Sequence, residues 1–399
     1  MKPTLGKPIG VTLMQQLDFL EAAPSLPIAL QWRKAQVLSV LDRFDEALAL
    51  CETLHEPDQT PERELLHAAM LCAQTPARDL QRAERILRDL LGRKLTPATR
   101  ASALASLAEL AHQRHDLAEA RDWLAAALAI EPLLPQALRK YAVIEASEGQ
   151  FDTLVSHCES LAAMDTVNPL LTAIHATALA AAGRVDEAKR MRRFDELFWA
   201  GTPPVPTGFD GIADFNRELA AELRAHPALR YENSRRASEA SWRIDELLVA
   251  GSTHIRTLLE AICTGVESYV RDVVDDPSRS PDSPFDRYRP RQAKITQWAV
   301  LTGPGGFERW HVHGKGWISG VYYIAVPRGL PEGGATPGAI DFGWWEDMLG
   351  EGASERLGQR RVHPEPGMLL LFPSHIHHRT WPHATEQERI CVALDIVPQ

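Results

Sequence analysis

The sequence has few cysteines, no long apolar run and no excess of positive charge. Its five cysteines are odd in number, lie far apart and form no CxxC pair, which argues against a disulfide framework or a cysteine zinc site. No stretch approaches the 18 apolar residues that suggest a membrane helix, and prolines and polar residues interrupt the N-terminus. We therefore expect no signal peptide, no membrane partner and a cytoplasmic location.

The charge balance gives no support for a nucleic-acid partner. The 399 residues include 53 acidic and 43 basic side chains, a net charge of −10, whereas a nucleic-acid-binding protein is usually basic. A content of 45% hydrophobic and 24% charged residues is typical of globular proteins, and the length predicts two or three domains. Histidine is unevenly distributed, since seven of the 15 histidines lie at or after position 311.

Residues 12–200 contain a helical repeat. Similar turn-to-helix junctions recur with equivalent residues at positions 47, 83, 120, 154 and 188, a period close to 34 residues, and four of these five residues are alanines. A period of 34 in a helical region is the tetratricopeptide length, so this segment resembles an array of about five such units. An irregular helical bundle is the alternative. Such arrays bind partners, so we expect these repeats to hold a protein or peptide substrate or a second copy of the chain.

The pattern changes twice after the repeats. Three prolines between two glycines predict an extended linker over residues 201–208, and apolar residues at helical spacing predict flanking helices over 209–275. Short β-rich runs divided by Gly and Pro follow within 295–398, at 295–301, 317–326, 368–372 and 389–397. They predict a jelly roll. The expected fold is therefore multidomain α + β, with a helical solenoid at 12–200 and a double-stranded β-helix domain at 209–399.

Three histidines in this domain are candidate metal ligands. His311 and His313 are two residues apart in an extended segment, so their side chains share one face, and His378 follows a distant buried strand. Two ligands from one strand and one from another would hold a metal ion and leave three coordination positions open, as non-haem iron oxygenases require. Of the nearby His375 and His377, we expect one to be solvent-exposed.

These segments resemble the Fe(II)- and 2-oxoglutarate-dependent dioxygenases, in particular the prolyl-4-hydroxylase-like branch and the oxygenases fused to tetratricopeptide repeats. The resemblance covers about 295–398. It rests on Gly305-Gly306-Phe307, His311-Val312-His313, the run 317–323, Pro366-Gly367, Phe372-Pro373-Ser374, His378 and Glu388-Arg389-Ile390.

The resemblance implies an oxidoreductase that uses Fe(II), 2-oxoglutarate and O₂. By this likeness, His311, His313 and His378 would be the metal ligands and catalytic residues, Arg389 would bind the far carboxylate of 2-oxoglutarate, and Tyr323 would also touch this cosubstrate. The expected reaction is hydroxylation of a C–H bond in a protein, peptide or small molecule, with release of succinate and CO₂.

Two departures from the family pattern leave alternatives open. His313 stands where the family usually has an aspartate, so Asp341 is an alternative carboxylate ligand, although its strand pattern favours a surface position. Cys391 stands where many members have serine. Two other functions therefore remain: a non-catalytic repeat scaffold with a decayed oxygenase domain, and a three-histidine cupin-like metalloenzyme that does not use 2-oxoglutarate.

Overall fold

Pairs of helices form the first part of the chain, as the 34-residue period predicts. The computed structural model describes residues 1–54, 60–73, 77–164, 168–232, 237–249, 251–329 and 336–399. One compact unit spans 13–150, and a second consists of 1–12 and 151–399. The helices of the first unit are α1 (Leu13–Ala22), α2 (Ile28–Val40), α3 (Phe44–Thr53), α4 (Pro61–Ala73), α5 (Ala77–Leu91), α6 (Pro97–Gln113), α7 (Leu117–Ile130) and α8 (Pro135–Ser147).

The repeat junctions have the packing that their small residues predict. The alanines at positions 47, 83, 120 and 188 are completely buried, and so is Leu154 at the fifth equivalent position. An alanine side chain lets two helix backbones approach closely, because there is little volume between them. The helical N-terminal part is therefore tetratricopeptide-like, as expected.

The second unit adds helices around two antiparallel sheets. Its helices are α9 (Phe151–Ala163), α10 (Pro169–Ala181), α11 (Val185–Arg192), α12 (Phe194–Leu197), α13 (Ile212–Arg224), α14 (Thr253–Tyr269), α15 (Pro284–Arg287), α16 (Glu346–Leu349) and α17 (Ala353–Leu357). Its strands are β1 (Trp199–Gly201), β2 (Arg230–Tyr231), β3 (Ser238–Ile244), β4 (Ala293–Glu308), β5 (Ile318–Ala325), β6 (Ile340–Gly343), β7 (Arg360–Val362), β8 (Leu369–Pro373), β9 (His377–Thr380) and β10 (Arg389–Pro398). A π-helical turn over Val270–Val274 continues α14.

The two sheets have the antiparallel arrangement of a jelly roll. The large sheet has the order β1-β8-β5-β10-β4-β3-β2, and the small sheet has the order β7-β6-β9. One face of the large sheet packs on α13 and α14, with Leu219, Leu259, Leu371 and Leu394 in the shared core. The opposite face of the large sheet faces the small sheet, and the pocket lies between the two sheets. This confirms the expected C-terminal fold.

The structure corrects one part of the predicted organisation. Residues 209–275 are not helical throughout, because Ser238–Ile244 form β3, which pairs with β4 and extends the large sheet. The described chain forms two compact units that meet after Gln150, a division that leaves the predicted linker at 201–208 untested. The physical reason for this division is that α10–α12 pack on the β domain; for example, His375 donates to the carbonyl of Arg192, and Tyr269 donates to that of Leu197. The predicted domain names and bounds otherwise stay a prediction.

Candidate metal and cosubstrate site

The three predicted histidines lie together between the large and the small sheet. A two-way backbone bridge joins His311 to His378, with N–O distances of 3.0 and 3.1 Å, and so brings a loop after β4 against the start of β9. One nitrogen of each of His311, His313 and His378 lies within 4.8 Å of the others. They are the one such group of potential metal ligands that the described residues bring together.

Each imidazole is oriented by a hydrogen bond at its Nδ1 atom. His311 Nδ1 lies 2.7 Å from the carbonyl oxygen of Arg309, and His378 Nδ1 lies 3.0 Å from that of Ile376. His313 Nδ1 lies 2.6 Å from Oδ1 of Asp395. Because carbonyl and carboxylate oxygens only accept, each Nδ1 carries the proton and Nε2 is the nitrogen with a lone pair. This arrangement is typical of metal-ligating histidines.

Burial also favours the ligating form of His378. The side chain is 6% exposed, and burial lowers the pKa of its imidazole well below the ordinary value, with a further contribution from the neighbouring His311 and His313. A neutral imidazole is the form that binds a metal, so His378 needs no deprotonation at neutral pH. The donor set of three imidazole nitrogens fits Fe(II), although it suits other first-row divalent ions as well.

Arg389 lines the same pocket, and one nitrogen of its guanidinium group forms no hydrogen bond. It begins β10 and is 3% exposed; its Nη2 atom donates to Oγ1 of Thr380 at 2.9 Å, while its buried Nη1 atom has no hydrogen-bond partner. Among the described residues, no carboxylate forms an ion pair with Arg389. Its charge interacts with the Glu308 carboxyl in the same pocket, but a ligand carboxylate at Nη1 would add a charge-assisted hydrogen bond that the protein does not supply. The residue therefore fits the carboxylate of a cosubstrate.

Tyr323 lies in the pocket wall, next to Cys391 on the neighbouring strand. Burial raises the pKa of its hydroxyl, so the group stays protonated and can donate a hydrogen bond. The pocket is otherwise mainly apolar, with Trp298, Val300 and Phe372 in its lining. Such walls keep water away from the polar groups and strengthen their interactions.

Asp341 lies outside the cluster of three histidines. Its side chain is completely buried, contrary to the expected surface position, and both oxygens accept from Arg361 at 2.7 and 2.9 Å. Trp381 also donates to it from Nε1 at 2.6 Å. The expectation that one of His375 and His377 is solvent-exposed is wrong too, because both are buried. His375 donates to a backbone carbonyl, and His377 stacks on Trp345.

Several residues of the site escaped the sequence analysis. Thr380 holds Arg389, Glu308 lines the pocket with a carboxyl whose pKa is raised by burial, and Asp395 orients His313. A signal for Asp395 was present, because strand alternation puts residues 389, 391, 393 and 395 on one face. No comparable local pattern points to Glu308 or Thr380.

The fold and the site together define a class of protein: a jelly-roll domain with three clustered histidines and a buried arginine in one pocket. Residues 296–395 match the family described as “Putative 2OG-Fe(II) oxygenase”, so the C-terminal part of the chain carries a domain of the 2-oxoglutarate- and Fe(II)-dependent oxygenase family. This confirms the family expected from the sequence. The search of curated proteins finds no match.

Solved structures similar to the chain include both kinds of domain. A Pseudomonas putida prolyl-4-hydroxylase is 17% identical, with 55% of this chain and 98% of that one covered and a TM-score of 0.34. HygX from Streptomyces hygroscopicus, solved with nickel, 2-oxoglutarate and hygromycin B, is 13% identical over 54% and 87% of the two chains, with a TM-score of 0.33. A tetratricopeptide repeat protein from Parabacteroides merdae is 16% identical over 45% and 70%, with a TM-score of 0.35.

The described residues include no helix that is both long and apolar enough to span a membrane.

Proposed function

We propose that this protein is a 2-oxoglutarate-dependent non-haem iron dioxygenase that hydroxylates a C–H bond. The observation that carries the proposal is the single pocket in which His311, His313 and His378 converge beside the unpartnered Nη1 atom of Arg389. The reaction balances as 2-oxoglutarate plus O₂ plus R–H giving succinate, CO₂ and R–OH. Bound Fe(II) would supply the redox chemistry that ordinary side chains lack.

The chain's own residues would bind, orient and protect the reactants. The histidines would present Nε2 to the metal because their Nδ1 protons are held by Arg309, Ile376 and Asp395. Arg389 would bind one carboxylate of 2-oxoglutarate through the nitrogen that has no protein partner. The hydroxyl of Tyr323 is a further donor in the same pocket.

The substrate is proposed to be a protein, a peptide or a small molecule. Support for a protein or peptide comes from the tetratricopeptide-like helices, which in other proteins offer surfaces to such partners. The same helices would serve equally to join two copies of the chain. Measurement of the molar mass in solution at two protein concentrations tests that second role.

The experiment that tests the function is anaerobic loading of the full chain with Fe(II) and 2-oxoglutarate, followed by admission of O₂. We expect formation of succinate that depends on both additions and falls to background in a His378→Ala variant. Succinate no higher than in that variant would contradict the proposal. Turnover that needs O₂ but not 2-oxoglutarate would instead favour a three-histidine cupin-like enzyme, and failure to bind Fe(II) would favour a non-catalytic scaffold.

A further inference from the structure

A carboxylate lies at the Nδ1 atom of His313, which leaves Nε2 as the ring nitrogen that a metal could bind. Oδ1 of Asp395 accepts from His313 Nδ1 at 2.6 Å, and both side chains are largely buried, with 12% and 9% exposure. This contact joins residues 82 positions apart, through the pairing of β10 with β5. Position 313 lacks the aspartate of the usual motif, but Asp395 forms a hydrogen bond with the histidine that replaces it.

The position of this carboxylate is fixed by its neighbours. Ser319 Oγ donates to the same Oδ1 atom at 2.6 Å, and the hydroxyls of Ser319 and Ser374 lie 2.7 Å apart. Gly316 closes the cluster, because a Cβ atom there would lie 2.5 Å from Ser374 Oγ and 3.0 Å from the Asp395 carboxyl group. These contacts hold the carboxylate in one orientation toward His313.

A carboxylate in this place changes what an imidazole ligand can do. Hydrogen bonding of Nδ1–H to a carboxylate fixes the tautomer and the ring orientation and makes Nε2 a stronger donor to a metal. Three neutral imidazoles alone would leave a divalent ion without the negative charge that the usual two-histidine, one-carboxylate set provides. In a largely buried site that charge acts with little screening by water.

We propose that Asp395 is a positioning residue that supplies the metal site, through His313, with the negative charge that its three histidines lack. This rests on the proposed function, because it requires His313 to be a metal ligand. It goes beyond that function in assigning a role to a residue that does not itself contact the metal. A purely structural role for Asp395 in the serine cluster makes a different prediction, since it would affect folding but not metal affinity.

The test is the binding of Co(II) to the metal-free full chain, followed through the visible absorption of the bound ion. Asp395→Asn keeps the shape and one acceptor oxygen but removes the charge. Loss of an outer-shell partner of this kind typically weakens metal binding by about 10-fold to 100-fold. We expect that weakening and a shifted absorption band, with a thermal midpoint of the metal-free protein close to that of the wild type.

Glu222→Gln is the matched control. Glu222 also accepts from a histidine, His254 Nδ1 at 2.7 Å, but neither residue lines the site pocket. We expect this variant to bind Co(II) as the wild type does. Ser319→Ala removes one donor to Asp395, together with a hydroxyl 3.0 Å from His313 Nδ1, but keeps the carboxylate. It should give a smaller loss of affinity even where Asp395→Asn folds poorly.

The proposal is overturned if Asp395→Asn or, where that variant does not fold, Ser319→Ala leaves both the Co(II) affinity and the absorption band unchanged. A loss of affinity equal in Glu222→Gln overturns it too. Absence of Co(II) binding by the wild type is a different result, because it removes the proposed function together with the role of Asp395.

Discussion

Replacement of Arg389 by methionine should weaken 2-oxoglutarate binding without weakening metal binding. Methionine keeps much of the length and the apolar stem but removes the guanidinium group. In the structure Nη2 is already used by Thr380, whereas Nη1 is buried and has no partner. A carboxylate ligand therefore gains at least one charge-assisted hydrogen bond from this side chain, and that bond is lost in the variant.

The loss of this one hydrogen bond sets the size of the expected change in 2-oxoglutarate affinity. A hydrogen bond to a charged group contributes about 1.5–3 kcal/mol, which corresponds to a rise of about 10-fold to 150-fold in the dissociation constant. Two opposing effects act on the ligand-free protein: removal of a buried cation is favourable, whereas loss of its interactions with Thr380 and Glu308 is unfavourable. Its thermal midpoint should therefore change little.

The assay is anaerobic calorimetric titration of 2-oxoglutarate into the full chain loaded with Mn(II). Arg224→Met is the control, since Arg224 is half exposed and pairs with Glu388 on the surface, where such pairs contribute little. Equal 2-oxoglutarate affinity in Arg389→Met and wild type would refute the reasoning. A lowered thermal midpoint together with unchanged affinity would mean that Arg389 has a structural role only.

Three further predictions concern stability. Asp341→Asn should destabilise the protein by about 3 kcal/mol in urea unfolding, because it breaks a buried pair with Arg361. The same variant should keep its Co(II) affinity, and lost metal binding would identify Asp341 as a ligand. Because burial lowers the pKa of His375 to about 4 from 6.5, the unfolded chain is protonated first as the pH falls. The contribution of His375 to stability should therefore be full above about pH 6.5 and fall by up to about 3 kcal/mol toward pH 4. In urea unfolding, His375→Gln should show a decline smaller by that amount than the wild type, and identical profiles would contradict this. Leu107→Ala in the repeat unit should cost about 2–5 kcal/mol by the same method, whereas Leu30→Ala, at a side chain 40% exposed, should cost far less; equal losses would contradict the assigned packing.

Strands with a clear pattern were predictable, and those without one were not. The runs at 295–301 and 389–397 alternate, and both lie within observed strands, β4 and β10. For Ile340–Gly343 in β6 the sequence suggested a strand with Asp341 on a surface face, but all four residues are buried, so alternation could not predict the orientation. Ser238–Ile244 begins near a bulge, where Ala240 has a positive φ of 48° and the register with β4 shifts. Such an irregularity depends on the partner strand rather than on local sequence.

Parts of the candidate site were likewise predictable from the sequence, and other parts were not. The proximity of His311 and His313 follows from local spacing, the place of His378 after a distant buried strand made it the third candidate, and the resemblance added Arg389. The contacts that orient them could not be predicted, because the approach of Asp395 to His313 and of Thr380 to Arg389 depends on the register between strands far apart in the chain. The burial of His375 has a similar cause, since its partner is the end of a helix 183 residues away.

The two faces of β10 explain how one strand serves both the core and the site. Ile390, Val392, Leu394 and Ile396 point into the hydrophobic core, whereas Arg389, Cys391 and Ala393 line the pocket and Asp395 continues that face. The strand thus carries a positive group at one end, a negative group at the other and two small side chains between them. Small residues leave room for a ligand, so cysteine in place of serine at 391 keeps that room. Asp395, at the negative end, contacts His313. Although position 313 lacks the usual aspartate, the site therefore keeps a carboxylate, which lies behind the imidazole ring.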